Sequence, residues 1–296
     1  MLVHSLAGNC MRLDAGTVFG HVPRTLHQRW IASDREGRLQ LANRSLLVED
    51  KGRRVLLEAG IGTFFSPAMR QRHGINGDQH ELLRALERLD LTDADIDWVV
   101  LSHLHFDHAG GLLAPYRDGV APKLLFPRAR FVVSGDAWQR CQRPHRRDRA
   151  SFIPELPELL WRSQRLEVVD EESAAPPLLG KRFAFRFSHG HTPGMLHTTV
   201  HGERASIFYC ADLIPGRPWV HLPVTMGFDR NAEQVVEEKE RLYAETALER
   251  TVFFFAHDPA AVASSIVEQD GRYAADRAIQ SFGGWDMDRT ERPTQG

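Results

Sequence analysis

The stretch His103–His108 limits what this chain can fold into more than any other part of its sequence. It reads His-Leu-His-Phe-Asp-His, the pattern H-x-H-x-D-H, and it follows the apolar run Trp98–Leu101. Histidine accounts for 15 of 296 residues, so this pattern would arise by chance in roughly a few chains per thousand. A solvated histidine-rich loop is the alternative, and the histidines that come later in the chain argue against it.

The spacing within the motif suits metal binding. Side chains two residues apart in an extended segment point to one face, so His103 and His105 can hold one ion. Asp107 and His108 lie past the bend and can reach a second ion. We expect the pair Gly110–Gly111 to let the backbone turn tightly after the motif.

Three further polar residues follow apolar strands later in the sequence. His191 lies in the Gly190–Gly194 turn after one strand, whereas Asp212 and His257 end two other strands. Polar side chains at the ends of buried strands are where a rigid scaffold usually carries a site. Each one alone would more often be structural, but together they supply the remaining ligands of a two-metal site.

Strands and helices are interspersed along the chain, with too few helices for a simple βαβ repeat. Apolar runs on either side of the charged turn Asp50–Arg54 predict a hairpin. Helical spacing indicates helices near 80–91 and 232–248, and Asp136 is a candidate cap for another. The arrangement predicts an α/β sandwich with sheets inside and helices outside. We treat 1–296 as one domain.

Residues 142–165 differ in character, being rich in Arg and Pro, and we interpret them as an insertion. Leu156, Leu159 and Leu160 recur at helical spacing, which predicts a short amphipathic helix. It either docks on the core or on a partner subunit, or it caps the metal centre. The last twelve residues, 285–296, are expected to be a frayed tail.

Composition excludes several classes of protein. Hydrophobic residues make up 42% and charged residues 26% of the chain, and the formal net charge of −2 argues against strong non-specific attraction to nucleic acid. The three cysteines form no CxxC pair, which favours a reducing compartment. Neither a secretory signal nor a long apolar span is apparent, so we expect a cytoplasmic protein with no membrane association.

The order H-x-H-x-D-H, G-H-T-P-G, strand-end Asp and strand-end His resembles the metallo-β-lactamase superfamily over roughly residues 38–257. The resemblance implies the αββα sandwich of that superfamily with a helical insertion. The segments 212–215, 221–223 and 254–259 resemble its lactonase-like branch, which is related to N-acyl-homoserine lactonases. The implied ligands are His103, His105 and His191 for the first metal, Asp107, His108 and His257 for the second, and Asp212 as the bridge.

Two positions depart from the pattern of the family. Where a strand-end Asp is common, this chain has Glu58, which we expect to accept a hydrogen bond from a ligand histidine and orient its ring. Many acyl-homoserine lactonases carry a Tyr shortly after the bridging Asp, whereas Asp212 is followed by Leu213, Ile214 and Pro215.

The implied cofactor is a pair of divalent ions, with Zn favoured by a set of N and O ligands and with Mn, Fe or Co also suitable. Two such ions about 3.5–4 Å apart would generate a metal-bound hydroxide that attacks a carbonyl. Asp107 or Asp212 would pass a proton to the leaving group. The expected partner is a small-molecule substrate, not nucleic acid, and a homodimer stays open. Candidate substrate-binding residues are His221, Trp219, Met226, Phe228 and Phe152.

A lactone or carboxylic ester is the favoured substrate class. A glyoxalase-II-like thioesterase is chemically close, and a phosphodiester hydrolase would need a basic groove. The run Arg143–Arg149 is basic, but Asp148 dilutes it. A β-lactamase fits less well because the Asp212 bridge is not typical of that branch. A non-catalytic binding module would have lost ligands, and this sequence keeps all seven.

Overall fold

The computed structural model describes residues 1–171, 179–291 and 293, and this part of the chain forms fifteen strands and eight α-helices. In chain order the strands are β1 (Leu2–Ala7), β2 (Met11–Asp14), β3 (Arg38–Leu41), β4 (Arg44–Asp50), β5 (Arg53–Leu57), β6 (Trp98–Val100), β7 (Arg130–Ser134), β8 (Leu166–Val169), β9 (Phe183–Ser188), β10 (Met195–His201), β11 (Ser206–Tyr209), β12 (Thr251–Phe254), β13 (Ala263–Gln269), β14 (Arg272–Ile279) and β15 (Gly283–Asp286). The helices are α1 (Ala15–Phe19), α2 (Arg24–His27), α3 (Pro67–Arg72), α4 (Glu81–Glu87), α5 (Phe106–Ala109), α6 (Gly135–Gln142), α7 (Leu156–Arg162) and α8 (Ala232–Glu245).

Two large mixed sheets and one small sheet organise these strands. The seven-stranded sheet has the order β15-β1-β4-β5-β6-β7-β8, the six-stranded sheet has the order β14-β13-β12-β11-β10-β9, and β2 pairs with β3. Strands β5 to β8 run parallel, as do β11 and β12. The predicted hairpin is present between β4 and β5, where Asp50 pairs with Arg53. The expected α/β architecture is confirmed.

The seven-stranded sheet is buried on both faces. Successive side chains of its strands pack into two different apolar clusters, one on each face. Leu46 and Val48 of β4 pack in the cluster shared with the six-stranded sheet, whereas Leu47 between them packs in a second cluster. Val100 and its neighbour Val99 on β6 divide in the same way. Successive side chains of a strand point to opposite faces. The second cluster also contains residues of α4, α6 and α7, which therefore cover the outer face of this sheet.

The insertion contains the short helix that its leucine spacing predicted. Helix α7 buries Leu156 and Leu160 completely in the outer cluster, while Trp161 is 67% exposed. This helix therefore docks on the core, which was one of the two alternatives. The limits of the insertion and the single-domain assignment stay predictions.

Two predictions about which residues form strands were wrong. The tail was expected to fray from residue 285, yet Trp285 lies in β15 beside β1, and Met287 is fully buried. Apolar side chains at 285 and 287 alternate as in any half-buried strand, a signal too short to stand out. Residues 292 and 294–296 of the expected tail lie outside the described residues. The apolar run 39–50, expected as one strand, divides between β3 and β4, which belong to different sheets. In the described part of the chain, no helix is long and apolar enough to cross a membrane.

Candidate metal centre

The seven side chains expected to bind metal lie together at one edge of the two sheets. Each follows a strand: the H-x-H-x-D-H motif follows β6, and the other three ligands follow β9, β11 and β12. They form two four-residue groups in which the candidate ligand atoms lie within 4.8 Å of one another. The first group is His103, His105, His191 and Asp212, and the second is Asp107, His108, His257 and Asp212.

The first group brings three imidazole nitrogens together around one carboxylate oxygen. His105 Nδ1 lies 2.9 Å from His103 Nε2 and 3.3 Å from His191 Nε2. Asp212 Oδ2 lies 3.2 Å from His191 Nε2. His103 and His105 lie two residues apart on the extended segment before α5, as their spacing predicted.

The second group meets the other oxygen of the same carboxylate. Asp212 Oδ1 lies 3.2 Å from His108 Nε2 and 3.0 Å from His257 Nε2. Asp107 Oδ2 stands 3.8 Å from His257 Nε2 and 3.9 Å from His108 Nε2. Asp107 and His108 belong to α5, which begins directly after His105 and turns both toward the second group.

Asp212 therefore presents one oxygen to each group, which is the arrangement a bridging ligand needs. The residue is 6% exposed, and its Oδ1 makes no hydrogen bond of acceptable geometry with a described residue despite two close imidazole nitrogens. Buried polar atoms are normally hydrogen-bonded. A buried oxygen surrounded by imidazole nitrogens fits a shared cation better than a set of hydrogen bonds, so these residues suit two metal ions.

Burial keeps two of the imidazoles in the form that binds metal. Desolvation holds the pKa of His103 and of His105 well below its ordinary value, so both rings are neutral near pH 7. Burial alone would raise the pKa of Asp212. His108, His257 and His191 outweigh that effect and lower the pKa well below its ordinary value, which keeps the carboxylate charged.

Glu58 lies behind the second group. Its Oε2 is 3.2 Å from His108 Nδ1, and its Oε1 accepts a hydrogen bond of 2.6 Å from Ser102 N. The residue is 2% exposed, and its backbone φ is +67°, a value that is rare for residues other than glycine. The longer side chain thus brings Oε2 close to a candidate ligand histidine without the geometry of a hydrogen bond, and its Oε1 holds the segment that leads into the motif.

Sequence reasoning missed Asp229, which lies behind the first group. Its Oδ1 is 2.8 Å from His191 Nδ1, its Oδ2 accepts a 2.7 Å hydrogen bond from Met226 N, and its side chain is 2% exposed. Such an acceptor fixes the tautomer and orientation of a ligand imidazole. No motif surrounds Asp229, so only the general need of a ligand histidine for an acceptor pointed to it.

Glu238 was also missed, and it anchors the turn that carries His191. Its two carboxylate oxygens accept hydrogen bonds from His189 N at 2.7 Å and Gly190 N at 3.1 Å. His257 is oriented without a carboxylate, because its Nδ1 lies 2.7 Å from the backbone oxygen of Ala42.

The two glycines after the motif are needed for a reason other than the one expected. Gly110 has an ordinary helical φ of −63°. A Cβ there would lie 2.4 Å from Ile61 O, and one at Gly111 would lie 2.0 Å from Ala59 O. Close approach of the backbone after β5, rather than backbone flexibility, therefore excludes a side chain at both positions.

A cavity of about 330 Å³ opens above the two groups. Of the five candidate substrate-binding residues, Met226 and Phe228 line it, whereas Trp219, His221 and Phe152 do not. Trp219 is 1% exposed and stacks on Phe19 at 4.6 Å in the core, and the ring of Phe152 packs against His105 at 4.8 Å. The other large apolar lining residues, none of them expected, are Met11, Leu13, Val18, Leu41 and Phe106.

The insertion reaches the cavity through its loop and not through its helix. Arg147, Asp148, Ala150 and Ser151 line the cavity. Arg147 Nη2 donates hydrogen bonds to the backbone oxygens of Gly227 at 2.8 Å and Asp229 at 3.3 Å. The loop is thereby tied to the segment that orients His191.

Comparison with known proteins places these observations in a family. The family model described as the metallo-beta-lactamase superfamily matches residues 40–257. The chain is 28% identical over 211 residues to the N-acyl homoserine lactonase AiiB of Rhizobium rhizogenes, covering 67% of this chain and 70% of the relative. A probable metal-dependent hydrolase from Staphylococcus aureus has a TM-score of 0.83 and 24% identity, with 94% of this chain and 96% of that chain covered. AidC, a dizinc quorum-quenching lactonase, has a TM-score of 0.71 and 20% identity, with 95% of both chains covered.

The chain belongs to the metallo-beta-lactamase superfamily, and the resemblance that its motifs indicated is confirmed. It has the fold of that superfamily and is a metal-dependent hydrolase.

Proposed function

We propose that this member of the superfamily is a dinuclear lactonase that opens the ring ester of a small lactone. The observation that carries the proposal is the position of Asp212, with one oxygen facing each group of imidazoles beneath a largely apolar cavity. A bridged pair of sites suits hydrolysis of a carbonyl compound, and the apolar lining suits an alkyl or acyl chain attached to the ring.

When bound, two divalent ions would activate a water molecule and polarise the carbonyl of the substrate. The ligands are all imidazole nitrogens and carboxylate oxygens, a set that favours Zn and also accepts Mn, Fe or Co. Asp107 is the more accessible of the two candidate catalytic carboxylates, with a side chain 14% exposed against 7% for Asp212. We assign to Asp107 the transfer of the proton that the attacking water releases to the leaving alkoxide.

The surroundings of the ligands maintain this geometry. Asp229 orients His191, Glu58 lies against His108, and the backbone oxygen of Ala42 orients His257. Such partners hold ligand rings in place while substrate enters and product leaves. Met226 and Phe228 lie on the loop that Asp229 caps, so the apolar wall of the cavity and the orientation of His191 depend on one carboxylate.

Relatives support a lactone over other carbonyl compounds. The curated relatives that match are named N-acyl homoserine lactonases, and the AidC structure contains the product N-hexnoyl-L-homoserine. A phosphodiester would suit this cavity poorly, since Arg147 is the only arginine or lysine among its lining residues in the described part of the chain.

Hydrolysis of three substrates by the metal-loaded protein tests the proposal. N-hexanoyl-homoserine lactone should be opened with a higher kcat/KM than S-lactoylglutathione, a thioester, or bis-p-nitrophenyl phosphate, a diester. Asp212→Ala should abolish turnover and reduce metal content together. Asp50→Ala is the matched control, because Asp50 is buried at the end of β4, outside both metal groups. Faster thioester hydrolysis would favour the glyoxalase-II-like alternative, and faster diester hydrolysis the phosphodiesterase.

A further inference from the structure

Three ionisable side chains outside the ligand set line the cavity in the described part of the chain: His73, Arg147 and Asp148. Asp148 is paired with Arg140, at 2.9 and 2.7 Å, and Arg147 donates to two backbone oxygens. The ring nitrogens of His73 make no hydrogen bond with any described residue. A half-buried imidazole that lines a cavity with free donor and acceptor capacity is suited to a polar group of a ligand.

Packing and backbone hydrogen bonds hold the His73 ring in place. It stacks on Phe65 at 5.2 Å and packs against Phe106 at 4.9 Å. Its backbone donates to Met69 O at 3.0 Å and accepts from Arg12 N at 2.9 Å. Burial, the main cause, and the nearby Arg72 lower the pKa of His73, which keeps the ring neutral near pH 7 with one donor and one acceptor.

The ring of His73 contacts the metal-binding motif, and its backbone contacts the strand that carries part of the apolar wall. Phe106, which it contacts, is the residue between the ligands His105 and Asp107. On the other side, its backbone binds β2, whose Met11 and Leu13 line the cavity. A substrate with its carbonyl at the two ligand groups and its alkyl chain against Met11 and Leu13 would bring the intervening group beside the His73 ring, which lines the same cavity. That group is the one joining ring and chain.

We infer that His73 is a substrate-positioning residue, which exchanges a hydrogen bond with the amide group that joins the lactone ring to the acyl chain of an acylamino lactone. The inference rests on the proposed lactonase function and names the chemical class of its substrate more narrowly.

Two lactones and three variants test the inference. N-hexanoyl-homoserine lactone carries the amide, and α-hexyl-γ-butyrolactone carries an alkyl chain at the same ring carbon without one. His73→Phe keeps an aromatic ring between Phe65 and Phe106 but removes both nitrogens. It should lower kcat/KM for the acylamino lactone about 5–10-fold, mainly through KM, and change the alkyl lactone less than about twofold. His73→Gln should recover part of the loss.

His21→Phe is the matched control, because His21 is exposed and does not line the cavity. It should leave both substrates unchanged, and metal content should be equal in all variants. Equal losses on both lactones, or no loss on either, overturn the role of His73 while leaving the lactonase proposal intact. If the unaltered protein opens neither lactone, the proposed function fails and the inference fails with it.

Discussion

Replacement of Asp229 with alanine removes the acceptor that holds one ligand histidine. In the structure, this carboxylate uses both oxygens, one on His191 Nδ1 at 2.8 Å and one on Met226 N at 2.7 Å. Both partners are buried, so the alanine variant leaves two donors without a protein acceptor. His191 would then be free to rotate about its side-chain bonds, and the first metal would lose a well-oriented ligand.

The expected magnitude follows from these two contacts. Loss of a partner that orients a metal-bound histidine typically costs 10–100-fold in metal affinity or activity, which corresponds to about 1.4–2.7 kcal/mol. Asp229→Asn keeps the volume and one acceptor oxygen, but it cannot satisfy both the imidazole and Met226 N. We therefore expect about 100-fold weaker binding at the first site for Asp229→Ala and about 10-fold for Asp229→Asn.

Competition with a chromophoric chelator measures the affinity of each site separately. Asp50→Asn serves as the control, because this buried carboxylate lies outside both metal groups. The first site should weaken in the order wild type, Asp229→Asn, Asp229→Ala, with the second site changed by less than about threefold. Equal affinities in all four proteins, or an equal loss at both sites, would refute the idea that Asp229 acts through His191.

Three further predictions, on Glu58, His197 and Leu160, can be tested with standard kinetic and unfolding assays. Glu58→Ala should cost about 10–100-fold in activity through the second site, since Glu58 contacts His108, and steady-state kinetics with metal analysis would detect this. Burial lowers the pKa of His197 from 6.5 to about 3, so the unfolded chain binds a proton in this range that the folded chain does not. The free energy of unfolding should therefore fall as the pH drops from 6.5 toward 3, by at most about 1.4 kcal/mol per pH unit, and His197→Leu should flatten the dependence in urea titrations. Leu160→Ala should lower the free energy of unfolding by about 2–5 kcal/mol and leave KM nearly unchanged, because α7 packs on the core. A changed KM for long-chain substrates would instead support the alternative in which the insertion caps the metal centre.

The ligand set could be predicted from the sequence because its members occur at fixed spacings or at the ends of apolar strands. His103 and His105 share a face of an extended segment, and Asp212 and His257 follow strands that lie side by side in parallel. Both the residue type and the strand pattern can be recognised in a short stretch of sequence. The metal-binding role of these residues stays a prediction until metal is measured.

The residues around the ligands could not be predicted, because nothing local marks them. Asp229 is distant in sequence from His191, and Glu238 holds the same turn from a helix. No motif in the sequence marks His73, and packing of the segment after α3 on β2 brings it into the cavity. Trp219 was expected in the pocket because it follows Asp212 in sequence, but its large ring is buried against Phe19 instead.

Anomalous X-ray diffraction from crystals of the metal-loaded protein, measured on both sides of the metal absorption edge, tests the central claim most directly. We predict two anomalous peaks about 3.5–4 Å apart, with one oxygen of Asp212 directed at each. One peak would be surrounded by His103, His105 and His191, and the other by Asp107, His108 and His257. A single peak in metal-saturated crystals, or two peaks without Asp212 between them, would contradict the bridged dinuclear site.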